Sequence, residues 1–153
     1  MFYNVFKFPN SHPQNRQLIL KDILDEYRPD LFMICELATE NGANLILNTS
    51  LQNQSDKFAR ALFVADTTDL ADPLQTMVFY NTRKLTLINQ QKIPTVYRDI
   101  NQYSFQLNTA SNDPIRLEVF VAHLKSSTGP ANRQMRLEMV QEVTKSLKKL
   151  TQP

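Results

Sequence analysis

Five apolar residues in a row, Leu31-Phe32-Met33-Ile34-Cys35, follow Arg28-Pro29-Asp30 and stop at Glu36. The run is too short for a core helix, and the Pro-Asp step before it reads as a turn. It predicts a strand buried on both faces, as in the interior of an α/β sheet. The rest of the chain must cover that strand. In open α/β sheets, ligands bind just beyond the carboxyl ends of such strands. Glu36 stands at that end.

The flanking segments supply a sheet and its cover. Residues 2–8 alternate and are rich in β-formers, so they read as a strand, followed by the loop Pro9-Asn10-Ser11-His12-Pro13. From 14 to 27, Leu20, Ile23, Leu24 and Tyr27 recur at helical spacing, and the residue before Pro29 ends the helix. A second helix is expected over 41–51, with Ala43, Leu45, Ile46 and Leu47 as its core side, then a polar stretch through Asp56. Strands are expected at 61–65, 77–80, 85–93, 103–107 and 115–124. Asn81-Thr82-Arg83-Lys84 and Ser111-Asn112-Asp113-Pro114 are the turns between them. A closing helix runs to about 150 with Met135, Met139, Val140, Val143, Leu147 and Leu150 as its stripe.

This order predicts one α/β domain over 1–153, with a single mixed sheet and helices on one face. Near the chain end, Leu117, Val119 and Val121 alternate with Phe120 and Ala122. A sheet apolar on both faces needs a layer on each, and the helices account for one.

Composition removes several classes of function. The 153 residues suit one domain, not two. A net charge of +2, scattered along the chain, gives no polybasic signature of nucleic-acid binding. Cys35 is the only cysteine, so no internal disulfide forms, and its apolar setting reads as a buried structural thiol. Gly42 and Gly129 are the only glycines, too few for a phosphate-cradling loop. No cluster has zinc spacing and no serine sits in a nucleophile elbow. No stretch is apolar enough to cross a membrane and no signal peptide opens the chain, which leaves the compartment undetermined. The start, almost inside a strand, suggests part of a longer protein.

Four positions could carry chemistry. Glu36 could bind a hard divalent cation through oxygen, or simply cap the next helix, and the spacing weighs the two equally. Asn4, in an apolar strand, could orient a metal-bound carboxylate, although a buried amide satisfying backbone is the commoner case. His123 ends the last strand and could donate to a phosphoryl oxygen, and Lys125-Ser126-Ser127 adds a cation and hydroxyls there. Arg98 has the fork for phosphate, but beside Asp99 an ordinary surface pair is the better reading. His12 lies in a polar loop and is expected to be solvated.

The order of these motifs is more specific than any of them. Tyr3-Asn4-Val5 is followed by Pro29-Asp30-Leu31-Phe32-Met33-Ile34-Cys35-Glu36, Val78-Phe79-Tyr80-Asn81, Tyr97-Arg98-Asp99 and Ala122-His123-Leu124-Lys125. Over essentially its whole length the chain resembles the endonuclease/exonuclease/phosphatase superfamily. That group includes pancreatic-type deoxyribonucleases, abasic-site endonucleases, neutral sphingomyelinases and inositol polyphosphate phosphatases. The likeness is greatest to secreted bacterial endonuclease-like members with an F-Y-N-V opening and an H-L-K-S-S strand end.

The resemblance implies a Mg²⁺ site at Glu36 and Asn4, with Mn²⁺ or Ca²⁺ as alternatives. It implies that His123 and Arg98 contact the scissile phosphate, and that Tyr80 and Lys125 lie on the substrate side. The implied reaction is hydrolysis of a phosphate ester, DNA or RNA included, by in-line attack of water. Complete family members also carry G-D-x-N and S-D-H motifs, and neither occurs here. The resemblance therefore implies the N-terminal part of such a domain, or half of a four-layer α/β sandwich. The remaining half or a second copy would cover the apolar sheet face. Such a chain is expected to be inactive alone. Competing readings are a non-catalytic interaction module and a phosphomonoesterase or lipid phosphodiesterase of the same group.

Overall fold

The computed structural model describes residues 1–52, 57–68, 73–110 and 113–150. Strand β1 (Phe2–Phe8) leads to helix α1 (Arg16–Tyr27), strand β2 (Leu31–Leu37) and helix α2 (Glu40–Leu45). A π-helical turn, Ile46–Ser50, extends α2. Strands β3 (Phe58–Arg60), β4 (Gln75–Asn81), β5 (Leu85–Ile93), β6 (Ile100–Leu107) and β7 (Arg116–Val121) follow, and α3 (Pro130–Leu150) closes the chain.

The α/β class read from the sequence holds, but the single sheet is corrected to two. One sheet is mixed, in the order β1-β2-β4-β3, and the other antiparallel, in the order β5-β6-β7. The turn after β4 suggested a β4–β5 hairpin. However, both hydrogen-bonding edges of β4 are already taken, by β2 and by β3. The chain therefore crosses at Asn81, whose N–H donates to the Asp30 carbonyl (2.9 Å), and β5 pairs with β6 instead.

The two sheets share one core. Phe32, Ile34, Met77 and Phe79 of the first are buried with Tyr103, Phe105, Val119 and Val121 of the second. Leu20 and Leu24 of α1, with Ala43 and Ile46, join the same core. Each such large side chain taken fully out of water contributes about 1.5–3 kcal/mol. On the outer side of the second sheet, Met139 of α3 is buried with Ile93 and Ile100, and Phe120, Ala122 and Leu124 pack there too. Successive strand residues face opposite ways. The alternation in β7 is thus answered within the chain, Val119 and Val121 meeting the first sheet and Phe120 meeting α3. The apolar face expected to need a second half or a second copy is covered by α3 and by the first sheet. Helices, sheet, sheet and helix make four layers.

Local departures have local causes. The strand expected at 61–65 is instead β3, ending at Arg60, because Leu62 bonds the Gln90 side chain through both its N–H and its C=O (3.0 Å each) rather than a strand. β7 stops at Val121, so His123 lies two residues past the strand rather than within it. Tyr27, Val140, Leu147 and Leu150, expected in the core, are exposed. The polar stretch through Asp56 lies largely outside the described residues, as do Ser111 and Asn112 of the expected turn.

Candidate active site

The site forms where β1 and β2 break step. Their parallel register runs Asn4 beside Cys35 and then shifts before Phe8 pairs with Leu37. The shift is made by left-handed backbone at Phe6 (φ 43°), Lys7 (φ 53°) and Glu36 (φ 63°). Non-glycine residues rarely adopt that region, and bulges of this kind re-aim side chains. On β2, Ile34 and Cys35 are both buried, so the alternation is broken and Glu36 is turned out of the core at the sheet's end.

Glu36 then meets two side chains, and a third stands behind the second. The Asn4 amide donates to Glu36 Oε1 (2.8 Å), and Asn4 Oδ1 accepts the Phe6 N–H (2.8 Å), which fixes the amide's orientation. His123 Nε2 lies 3.3 Å from the same Oε1. Arg98 Nη1 lies 2.5 Å from His123 Nδ1. A guanidinium can only donate, and Nη1 lies closer to Nδ1 than to Nε2 (3.3 Å), which favours the tautomer with the ring proton on Nε2, facing Glu36. Burial lowers the His123 pKa, the Arg98 charge lowers it further, and Glu36 opposes both. His123 is a neutral hydrogen-bond donor near neutral pH.

Each side chain is held from behind. Ala122 and Leu124 pack under α3, which turns His123 the other way. Arg98 is buried in the 94–99 connector, with its guanidinium over the Tyr97 ring (4.8 Å). Lys125 lies over the same ring (4.4 Å), and its carbonyl accepts Arg136 Nη1 of α3 (2.8 Å). Two cations share one aromatic ring, each contact contributing roughly 0.5–1 kcal/mol.

Asn4, Glu36, Arg98 and His123 are therefore brought together, with Lys125 joined to them through Tyr97. Tyr80 is not. In the antiparallel β2–β4 ladder it pairs with Leu31, at the opposite end of β2 from Glu36, roughly 16 Å away by strand rise. It packs edge-on against Phe105 (5.1 Å) instead. The β4 residue near Glu36 is Gln75, opposite Leu37. Tyr97 was missed in the sequence, although an aromatic beside Arg98 was a usable signal. Asp99 was read as a surface partner of Arg98. It is buried, and its carboxylate meets Lys92 (3.0 Å) and Thr67.

The donor set bears on a metal. Among the described residues no three His, Cys, Asp or Glu side chains cluster as a metal cage. Glu36 Oε1 carries the Asn4 and His123 contacts, whereas Oε2 has no hydrogen bond among the described residues. One carboxylate oxygen left open in this way, with Arg98 reached through His123, fits Mg²⁺, which keeps several waters and uses one or two carboxylates plus phosphate oxygens.

No family model matches the sequence, and no curated protein matches it. Solved structures do. A humanized D. rerio TDP2 aligns with 96% of this chain and 54% of its own (TM-score 0.64, 14% identity). The human Nocturnin catalytic domain with bound sulfate aligns with 95% of this chain and 58% of its own (TM-score 0.64, 14% identity). An endonuclease/exonuclease/phosphatase family protein from Leptotrichia buccalis aligns with 99% and 63% (TM-score 0.59, 14% identity). The chain has the fold of these proteins and spans 54 to 63% of their length. That agrees with the fold the sequence resemblance implied.

Proposed function

We propose that the chain carries the phosphate-binding side of a metal-dependent phosphodiesterase, endonuclease-like, that hydrolyses its substrate by in-line attack of water. The observation that carries this reading is the Arg98–His123–Glu36–Asn4 line, two donors to phosphate oxygen joined to one oriented carboxylate. Glu36 Oε2, assisted by Asn4, would hold Mg²⁺, or Mn²⁺ or Ca²⁺ in its place. A bound divalent ion supplies Lewis-acid stabilisation of phosphoryl charge.

The chain's own residues do the following. Arg98 presents its fork to two phosphate oxygens. His123 donates through Nε2–H, which can turn from Glu36 to a phosphoryl oxygen as charge develops there. Lys125 adds a second positive charge at the rim. None of these groups is placed as a general base, since His123 Nδ1 is occupied by Arg98. The chain is therefore expected to bind a phosphodiester more readily than it hydrolyses one. A phosphomonoesterase or lipid phosphodiesterase would use the same groups, because substrate choice lies in loops rather than in the fold.

The test is a titration with the dinucleotide thymidylyl-thymidine in Mg²⁺, followed by amide and side-chain NMR. Shifts centred on Arg98, His123 and Lys125, abolished in Arg98→Met, support the reading. Shifts centred elsewhere, or unaltered in Arg98→Met, reject it.

A second reading, an interaction module completed by the rest of such a domain or by a second copy, is favoured by one observation. β1 is the edge of its sheet and exposes Phe2, Tyr3 and Phe6. Open apolar edges invite strand pairing. A monomer by light scattering at high concentration counts against the second copy.

A further inference from the structure

Arg98 stands on irregular backbone, between the end of β5 at Ile93 and the start of β6 at Ile100. A long side chain on a connector has many rotamers, and ordering it on binding weakens binding. What surrounds it here is a set of polar contacts to both of its neighbours. The Asp99 carboxylate, 6% exposed, accepts from Thr67 N (3.2 Å) and Thr67 Oγ1 (3.1 Å) through one oxygen, and Lys92 Nζ reaches that oxygen at 3.0 Å. Thr67 Oγ1 in turn accepts from Lys92 Nζ (2.9 Å). On the other side, Thr68 Oγ1 lies 2.7 Å from the Tyr97 carbonyl oxygen. Thr95 Oγ1 donates to the Arg98 carbonyl (2.6 Å).

The threonine pair is itself tied down. Asp66 Oδ1 accepts the Thr68 N–H (2.8 Å), and Gln75 Oε1 accepts the Asp66 N–H (2.5 Å). Gln75 begins β4, next to the end of β2 that carries Glu36. The contacts thus run from the sheet that bears Glu36 to both neighbours of Arg98. Asp99 Oδ1 is buried with no hydrogen-bond partner among the described residues. Burying a carboxylate with an unsatisfied oxygen is costly, so stability alone is a poor reason for an acid at this position.

We propose that Thr67, Thr68 and Asp99 are positioning residues for Arg98, a clamp that holds its guanidinium on His123 before substrate arrives. The inference deepens the reading of Arg98 as a phosphate ligand and rests on it. None of the three touches the substrate. They act by removing rotamers from Arg98, so that its fork is already aimed when a phosphate enters.

The test uses the exposed threonines, where substitution leaves the core intact. The variants are Thr67→Val/Thr68→Val, which keeps shape and removes both hydroxyls, and Thr67→Ser/Thr68→Ser, which restores them. Asp99→Asn, which removes the charge facing Lys92, is the third. The first readout is the order parameter of the Arg98 Nε–H by ¹⁵N relaxation, with exposed Arg133 as the mobile reference. The double valine variant and Asp99→Asn should bring Arg98 to the mobility of Arg133, and the double serine variant should stay as rigid as the parent. The second readout is the affinity for thymidylyl-thymidine. It should weaken about five- to tenfold in the valine variant, as expected when one long side chain must be ordered on binding, and recover in the serine variant. Arg98 as rigid in the valine variant as in the parent overturns the clamp. Affinity unmoved in Arg98→Met while rigidity responds to the clamp variants overturns the phosphate-ligand reading, and with it the role of the clamp in binding.

Discussion

Arg98 Nη1 stands 2.5 Å from His123 Nδ1, so an arginine on one ring nitrogen and the Glu36 carboxylate on the other both favour the Nε2–H tautomer of the candidate catalytic histidine. Histidines oriented by carboxylates are biased toward the charged form. This one is biased toward the neutral form, because burial and the neighbouring guanidinium both lower its pKa. Neutral His123 can donate at Nε2 without bringing a second full positive charge next to Arg98.

A pH dependence follows with a definite sign. The His123 pKa in the fold lies below its ordinary value of 6.5. Between those two values the unfolded chain binds more protons than the folded one, so stability rises with pH. The contribution is fully present above about pH 6.5 and is lost as pH falls through that window. Urea denaturation across pH 4.5–7.5 should show this acid loss, and His123→Gln should flatten it. An unchanged slope in His123→Gln contradicts the assignment.

Glu36 separates backbone strain from charge. Its left-handed φ of 63° is tolerated by asparagine far better than by a β-branched residue. Glu36→Asn should therefore stay close to the parent in stability. Glu36→Val should lose roughly 1–3 kcal/mol, the cost of a side chain held in that region. Equal midpoints for the two variants would show that the bulge relaxes readily.

Gly42 tests the packing under the site. A Cβ there would come within 2.8 Å of Pro9 Cδ, 3.1 Å of Leu37 Cδ1 and 3.2 Å of Phe8 Cδ1. Alanine is better than glycine in a helix by about 1 kcal/mol, but overpacking against a stiff proline ring costs about 1–3 kcal/mol. Gly42→Ala should therefore destabilise, and a raised thermal midpoint would contradict the close approach of α2 to the β1–β2 break.

Cys35 should be chemically silent. Burial, with Glu36 beside it, pushes its thiol up to about 11, against a smaller opposing effect of Arg98. Thiolate is the reactive form. Labelling by a disulfide reagent at pH 8 should proceed no faster than global unfolding measured under the same conditions.

The legible and illegible parts of the structure differ for physical reasons. β1 and β5 have the bounds that alternation and proline placed, and Glu36 stands one residue before the end of β2, because local patterning decides these features. The split into two sheets was not legible, since it depends on which strand edges are already taken around β4. Tyr80 illustrates the same limit. Its distance from Glu36 follows from the antiparallel β2–β4 register, which no local pattern states. The fold's likeness to the endonuclease/exonuclease/phosphatase proteins was legible as an order of motifs. The contacts of Asp99 with Thr67, 32 residues earlier in the chain, were not, since they depend on a crossing between distant loops.

The most direct test of the site is paramagnetic relaxation by Mn²⁺, titrated into the isotope-labelled chain as a stand-in for Mg²⁺. The account predicts broadening confined at low occupancy to Asn4, Glu36, His123 and their neighbours, removed by Mg²⁺ competition and absent in Glu36→Gln. Broadening centred on other acidic side chains, or undiminished in Glu36→Gln, would contradict Glu36 as the metal-binding carboxylate.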